Sequence, residues 1–259
     1  MLGNLAEEDF FVLRGPFESG RQSPRNLGAM LILSIPFHIL MFFLAYVAAA
    51  DSSAFPYITT LLWAHLVISS KVILFSIIFA IPSIYIQNQK LQYLIVILIS
   101  QNIFGILPYF MAVFYIGKEF YIPIESLMNF TYITFSIGIL VFFVTGIRFF
   151  VLLRKGEYRV GTKKEEIRTK MEFKVKSYLP IIITGSLGAF FTFQYLIRLL
   201  GIGDIYNIMM LTLCVLLFYA MLFVLPEQLV ILYCKYRFDS FNFNKEDKLK
   251  PVSRKEGLK

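Results

Sequence analysis

Polarity along this chain changes in blocks rather than in alternation: long apolar runs are separated by short polar connections. Six runs reach the roughly 20 residues that a helix needs to span a bilayer. They lie at residues 27–49, 57–84, 91–116, 124–152, 177–200 and 205–232. Most exceed that length, which predicts tilt or helix continuing past the hydrocarbon. The expected architecture is all-α, a polytopic membrane protein with a six-transmembrane-helix bundle over residues 27–233. A segment 1–26 precedes it and a basic tail 234–259 follows. Pro36, Pro82, Pro108, Pro180 and Pro226 punctuate five of the runs. Pro108 and Pro226 are deep enough to kink a helix.

The connections carry the orientation. Three Arg lie in the first segment, Lys90 follows the second run, nine Lys and Arg separate the fourth from the fifth, and eight occupy the tail. The intervening connections hold Lys118 alone, and Lys71, Arg148 and Arg198 fall inside runs. Lys and Arg accumulate in cytoplasmic segments, so both termini are expected in the cytoplasm. "EEDFFVLRGPF" reads as a short interfacial helix ending at Gly15-Pro16. The first residues lack a basic stretch leading into a short apolar core, so a cleaved signal peptide is not expected. The polar residues from Asp239 onward are expected to be mobile.

Composition agrees. Hydrophobic residues make up 58% of the 259 and charged residues 16%, against about 45–50% and 25% in ordinary globular domains. With a mean hydropathy of +0.69, this excludes a disordered chain and argues against a soluble one. The net charge of +8 sits on membrane-flanking segments. The partners it predicts are therefore the lipid bilayer and the anionic lipids of its inner leaflet, and not nucleic acid. Within the basic connection at 153–176, Ile167, Met171, Val175 and Leu179 recur every four residues and make an amphipathic helix. Its Lys163, Lys164, Arg168, Lys170, Lys174 and Lys176 are candidates for lipid or partner binding.

Ionisable groups inside the runs need an account, since each costs about 2.5–3.5 kcal/mol on insertion scales. Arg148, Arg198, Glu125 and Asp204 lie near the ends, where snorkelling suffices. Lys71, in "HLVISSKVILFSIIF", lies near mid-bilayer, with His38, Gln101 and Asn102 at similar depth, His65 somewhat outward and Glu227 further inward. Two readings compete. Either His38, Lys71, Gln101 and Asn102 line a polar path with Glu227 at its inner end, or neutral groups such as Ser69, Ser70 and Gln101 hold a buried Lys71 that only fixes helix packing.

Other chemistry is thin. "GIGD" (201–204) matches the Gly-x-Gly-Asp of intramembrane aspartyl proteases, but no second aspartate inside a run completes the pair such enzymes need. "EEIRTK" (165–170) places Lys where CAAX-type membrane proteases need Arg. Cys214 and Cys234 lie roughly 30 Å apart along one helix, beyond disulfide reach. No catalytic residue, metal site or cofactor is expected, and any ATP hydrolysis must come from another chain.

The layout resembles the membrane subunit of a small bacterial ABC exporter: six spans, both termini inside, in 259 residues. That resemblance implies a transport component of the bacterial cytoplasmic membrane, a permease subunit working with a separate cytoplasmic ATPase or as a homo-oligomer. The alternative is a non-transporting scaffold, immunity or trafficking protein that holds lipid or partners through its basic segments. An intramembrane protease comes third. The orientation is directly testable. A carboxy-terminal green fluorescent protein should fluoresce, and alkaline phosphatase inserted at residues 51–56 should be active. The opposite pattern refutes the assignment.

Overall fold

The computed structural model describes residues 2–120, 122–167 and 203–252. Five helices among them are long and apolar enough to cross a membrane. They are α1 (Pro24–Ala49), α2 (Ile58–Ala80), α3 (Gln89–Lys118), α4 (Ile124–Arg154) and α5 (Gly203–Arg237). The fifth run expected from sequence, 177–200, lies outside the described residues, as do Arg168, Lys170, Lys174, Lys176, Pro180 and Arg198.

Most helix limits follow local rules. Ser23 caps α1 by accepting from the Asn26 amide, and Pro24 takes the first helical position, where a missing N–H is harmless. The second run was expected to continue to Ile84. Instead α2 stops at Ala80, because Pro82 forces Ile81 into extended backbone (φ −74°, ψ 125°), and a short turn at Pro82–Tyr85 leads to α3. Pro226 leaves α5 unbroken. Pro108 acts differently, and the chain just before it, Asn102–Ile106, widens into a π-helical turn. A second π turn, Leu44–Ala49, closes α1.

α1, α2 and α3 pack together, and α5 packs against both α3 and α4. Gly138 lets α4 approach α5 closely, since a Cβ there would lie 2.7 Å from the Phe218 ring. Outward faces are apolar, for example Tyr132, Ile133, Leu140, Phe143 and Ile147 on α4, as contact with lipid tails requires. At one end of the bundle Lys118 pairs with Asp51 at 3.8 Å, and Tyr115 of α3 bonds Asn207 at the start of α5 at 2.8 Å.

The other end carries both terminal segments, bound together. A 3₁₀ turn at Glu7–Arg14 and a short helix at Gly15–Glu18 bury Phe10, Leu13 and Phe17 beside Phe241 and Phe243 of the tail. Asp9 receives Arg159 at 2.7 Å, the Val12 amide donates to Tyr158 O, and Ser240 Oγ donates to Glu7. The tail expected to be mobile is thus packed as far as Lys250. Asn242 and Asn244 close its turns through their side chains, and Gln89 binds the Phe243 backbone at both N–H and C=O. Hydrophobicity averaged over the tail hides this, because two aromatic side chains are enough to anchor it. Lys235, counted with the tail from sequence, lies inside α5 and is 1% exposed. Its ammonium donates to Phe241 O at 2.8 Å and sits 4.6 Å over the Phe17 ring, a cation–π contact strengthened by desolvation.

Truncating Phe241, fully buried at the centre of this cap, should cost about 3–5 kcal/mol. Phe241→Ala should lower the unfolding temperature in detergent and expose the tail to trypsin at Lys245 and Lys248. Digestion at the wild-type rate contradicts the packed tail.

Candidate functional site: a histidine pair inside the bundle

Four positions of α2 are buried: His65, Ser69, Val72 and Ser76. Their spacing of four, three and four places them on one helical face. Three are polar, so α2 turns its polar stripe inward and its apolar surface outward, the arrangement a lipid solvent demands. α1 brings His38 and Tyr46 to the same place, and α3 brings Asn102; all are at least nine-tenths buried.

These side chains form one hydrogen-bonded group. His65 Nε2 donates to Asn102 Oδ1 at 2.7 Å, and Tyr46 O–H donates to His65 Nδ1 at 2.9 Å. Asn102 Nδ2 donates to His38 Nε2 at 3.0 Å, with Ser69 Oγ 3.1 Å from the same nitrogen. A ring nitrogen that accepts carries no proton, so with Asn102 Oδ1 toward His65 and Nδ2 toward His38 this pairing takes His65 as the Nε2–H form and His38 as the Nδ1–H form. His38 Nδ1 is buried with no acceptor among the described residues, a situation that costs about 1–3 kcal/mol. Phe42, Phe110 and Tyr46 pack around the His65 ring at centroid distances of 5.5–5.7 Å.

Two of the five residues occupy π turns: Asn102 opens the one before Pro108, and Tyr46 lies within the one ending α1. Such turns are rare and gather at functional sites. Asn102 faces α1 and α2, while Gln101, one residue earlier, faces α5. Gln101 Nε2 donates to Met221 O and to Gln228 Oε1, both at 3.0 Å.

The structure therefore brings together only part of the path expected from sequence. His38 and Asn102 are in direct contact. Gln101 belongs to a separate bridge to α5. Glu227 lines a cavity of about 480 Å³ with Thr145, Arg148, Tyr158 and Lys164, apart from the histidines. Lys71 lies on the exposed face of α2, opposite the buried stripe and among exposed Val67, Ile68, Leu74 and Phe75. Nine residues, about 13 Å, separate it from the end of α2 nearer the termini. Of the basic candidates, Lys163 is exposed and Lys164 sits 4.2 Å over the Tyr158 ring. Sequence reasoning missed Tyr46 and gave His65 and Ser69 secondary roles. The signal lay in the 65-69-72-76 periodicity of α2, which depth alone does not show.

Among the described residues no three His, Cys, Asp or Glu cluster as metal ligands. No protein-family model matches the chain, and no curated protein or solved structure matches it.

Replacing Asn102 with Leu removes the bridge and leaves both imidazoles short of a partner. It should destabilise by about 2–4 kcal/mol, whereas Lys71→Met, which takes a charge off the lipid-facing surface, should not destabilise. Unfolding in mixed micelles separates the two, and equal effects would contradict the geometry.

Proposed function

We propose that this chain is a membrane transport component whose charge-carrying site is the His38–Asn102–His65 group, working with proton movement. The observation that carries this reading is the burial of two imidazoles bridged by one amide, with that amide and Tyr46, the other partner of His65, standing on π turns. Intramembrane ionisable residues are expensive, and histidine chains recur in proton relays.

The amide supplies the coupling. A proton binding at His38 Nε2 turns that nitrogen from acceptor to donor and breaks its bond with Asn102 Nδ2. Rotation of the Asn102 side chain by half a turn presents Oδ1 to His38 and Nδ2 to His65. Nδ2 then meets the N–H at His65 Nε2, donor against donor, so the bond between Asn102 and His65 breaks as well. One added proton at His38 on α1 is thereby linked to the loss of the hydrogen bond that holds α3 to α2. Cytoplasmic termini, the bacterial cytoplasmic membrane and a partner ATPase or second copy belong to the same reading. They rest on the charge distribution and on the exporter-like layout. The rival reading, a scaffold acting through Lys163, Lys164 and their neighbours, requires nothing of the histidines.

Proteoliposomes loaded with a pH-sensitive dye test the proposal. Under an imposed membrane potential, wild-type vesicles should acidify faster than empty ones, and His38→Gln or His65→Gln should lower that rate at least tenfold while remaining folded. Wild-type flux equal to that of empty vesicles overturns it.

A further inference from the structure

We infer that the chain binds the headgroup of an anionic phospholipid in a cleft between the start of α3 and the carboxy-terminal hairpin. The cleft is about 690 Å³ and lies at the end of the bundle that carries both termini. Lys90 lines it from α3, and Lys245 and Lys250 from the hairpin at residues 242–250, against a single carboxylate, Asp239, which Lys250 already engages at 2.8 Å. A polyanion, or a phosphate diester with its neighbours, is the ligand that this charge balance favours.

The walls are built, not incidental. Gln89 clamps the hairpin through two bonds to the Phe243 backbone, at 2.9 and 2.8 Å. Lys90 is held over the Tyr236 ring at 5.2 Å. The Asn88 side chain donates back to Ile84 O instead of capping α3, so the first-turn amides of that helix keep no side-chain acceptor; such amides suit a phosphate oxygen. Asn242, also lining the cleft, is 6% exposed, and its Oδ1 has no hydrogen-bond donor among the described residues. A headgroup hydroxyl reaching the floor supplies one.

Two features select a lipid over a soluble phosphate. Lys90 and Tyr236 stand at the ends of membrane helices, the depth at which headgroups lie. The cleft also has an apolar edge: Leu91 is 42% exposed and Tyr236 54% exposed, continuous with the lipid-facing surfaces of α3 and α5. A charged end beside an apolar edge fits an amphiphile.

The full chain in a neutral detergent provides the test, with thermal stabilisation as the readout. Phosphatidylglycerol should raise the unfolding temperature, and phosphatidylcholine or inorganic phosphate should not. The Lys90→Gln/Lys245→Gln pair should need about thirtyfold more phosphatidylglycerol for the same shift. Lys118→Gln, at the opposite end of the bundle, should respond as wild type. An unchanged response of the pair, an equal loss in Lys118→Gln, or equal stabilisation by inorganic phosphate overturns the inference.

Discussion

Water is missing from the middle of a bilayer, and this constraint organises the whole molecule. Outside a membrane, a polar side chain on an exposed helix face is satisfied at no cost. Inside one, each donor and acceptor must find a partner within the protein. α2 obeys by burying His65, Ser69 and Ser76 and turning Val67, Ile68 and Leu74 outward. α1 and α3 answer with Tyr46, His38 and Asn102. Gln101 and Gln228 solve the same problem between α3 and α5. The bundle is thus cross-linked at its centre by hydrogen bonds, with aromatic packing filling the space around them.

At the termini end the problem is reversed, and apolar groups gather where water is available. Phe10, Phe17, Phe241 and Phe243 draw two distant pieces of chain into one cap. Lys235 is sealed beneath it against a carbonyl and aromatic faces. The cap also fixes the hairpin that forms one wall of the lysine-lined cleft. Packing in the cap and charge at the bilayer edge are in this way joined through Gln89, which touches both.

Much of this was legible in the sequence, and the rest has identifiable reasons. Helix lengths and composition mark α1 to α5 as membrane-spanning, because hydrocarbon thickness sets a length that few other constraints do. The end of α2 was misplaced by four residues, since an apolar run cannot register the backbone effect of Pro82 on Ile81. Lys71 drew attention through its charge and depth, yet depth is only one of two helical coordinates. The face, read from the inward stripe of small polar residues, separates it from His38 and Asn102. The π turns were not legible at all, because a widened turn depends on how Pro108 and its neighbours pack. The order of the tail was hidden as well, since it rests on pairwise contacts such as Gln89 with Phe243 rather than on average polarity.

The central claim is that one amide joins two neutral imidazoles of opposite tautomer. The chain has two histidines, so nitrogen-15 labelling of histidine gives a spectrum with few signals to assign. Nuclear magnetic resonance of the labelled protein in bilayers near neutral pH should show one ring protonated at Nε2 and the other at Nδ1, with His65→Gln removing the first. Two rings of the same tautomer, or an imidazolium in the resting protein, would contradict the account.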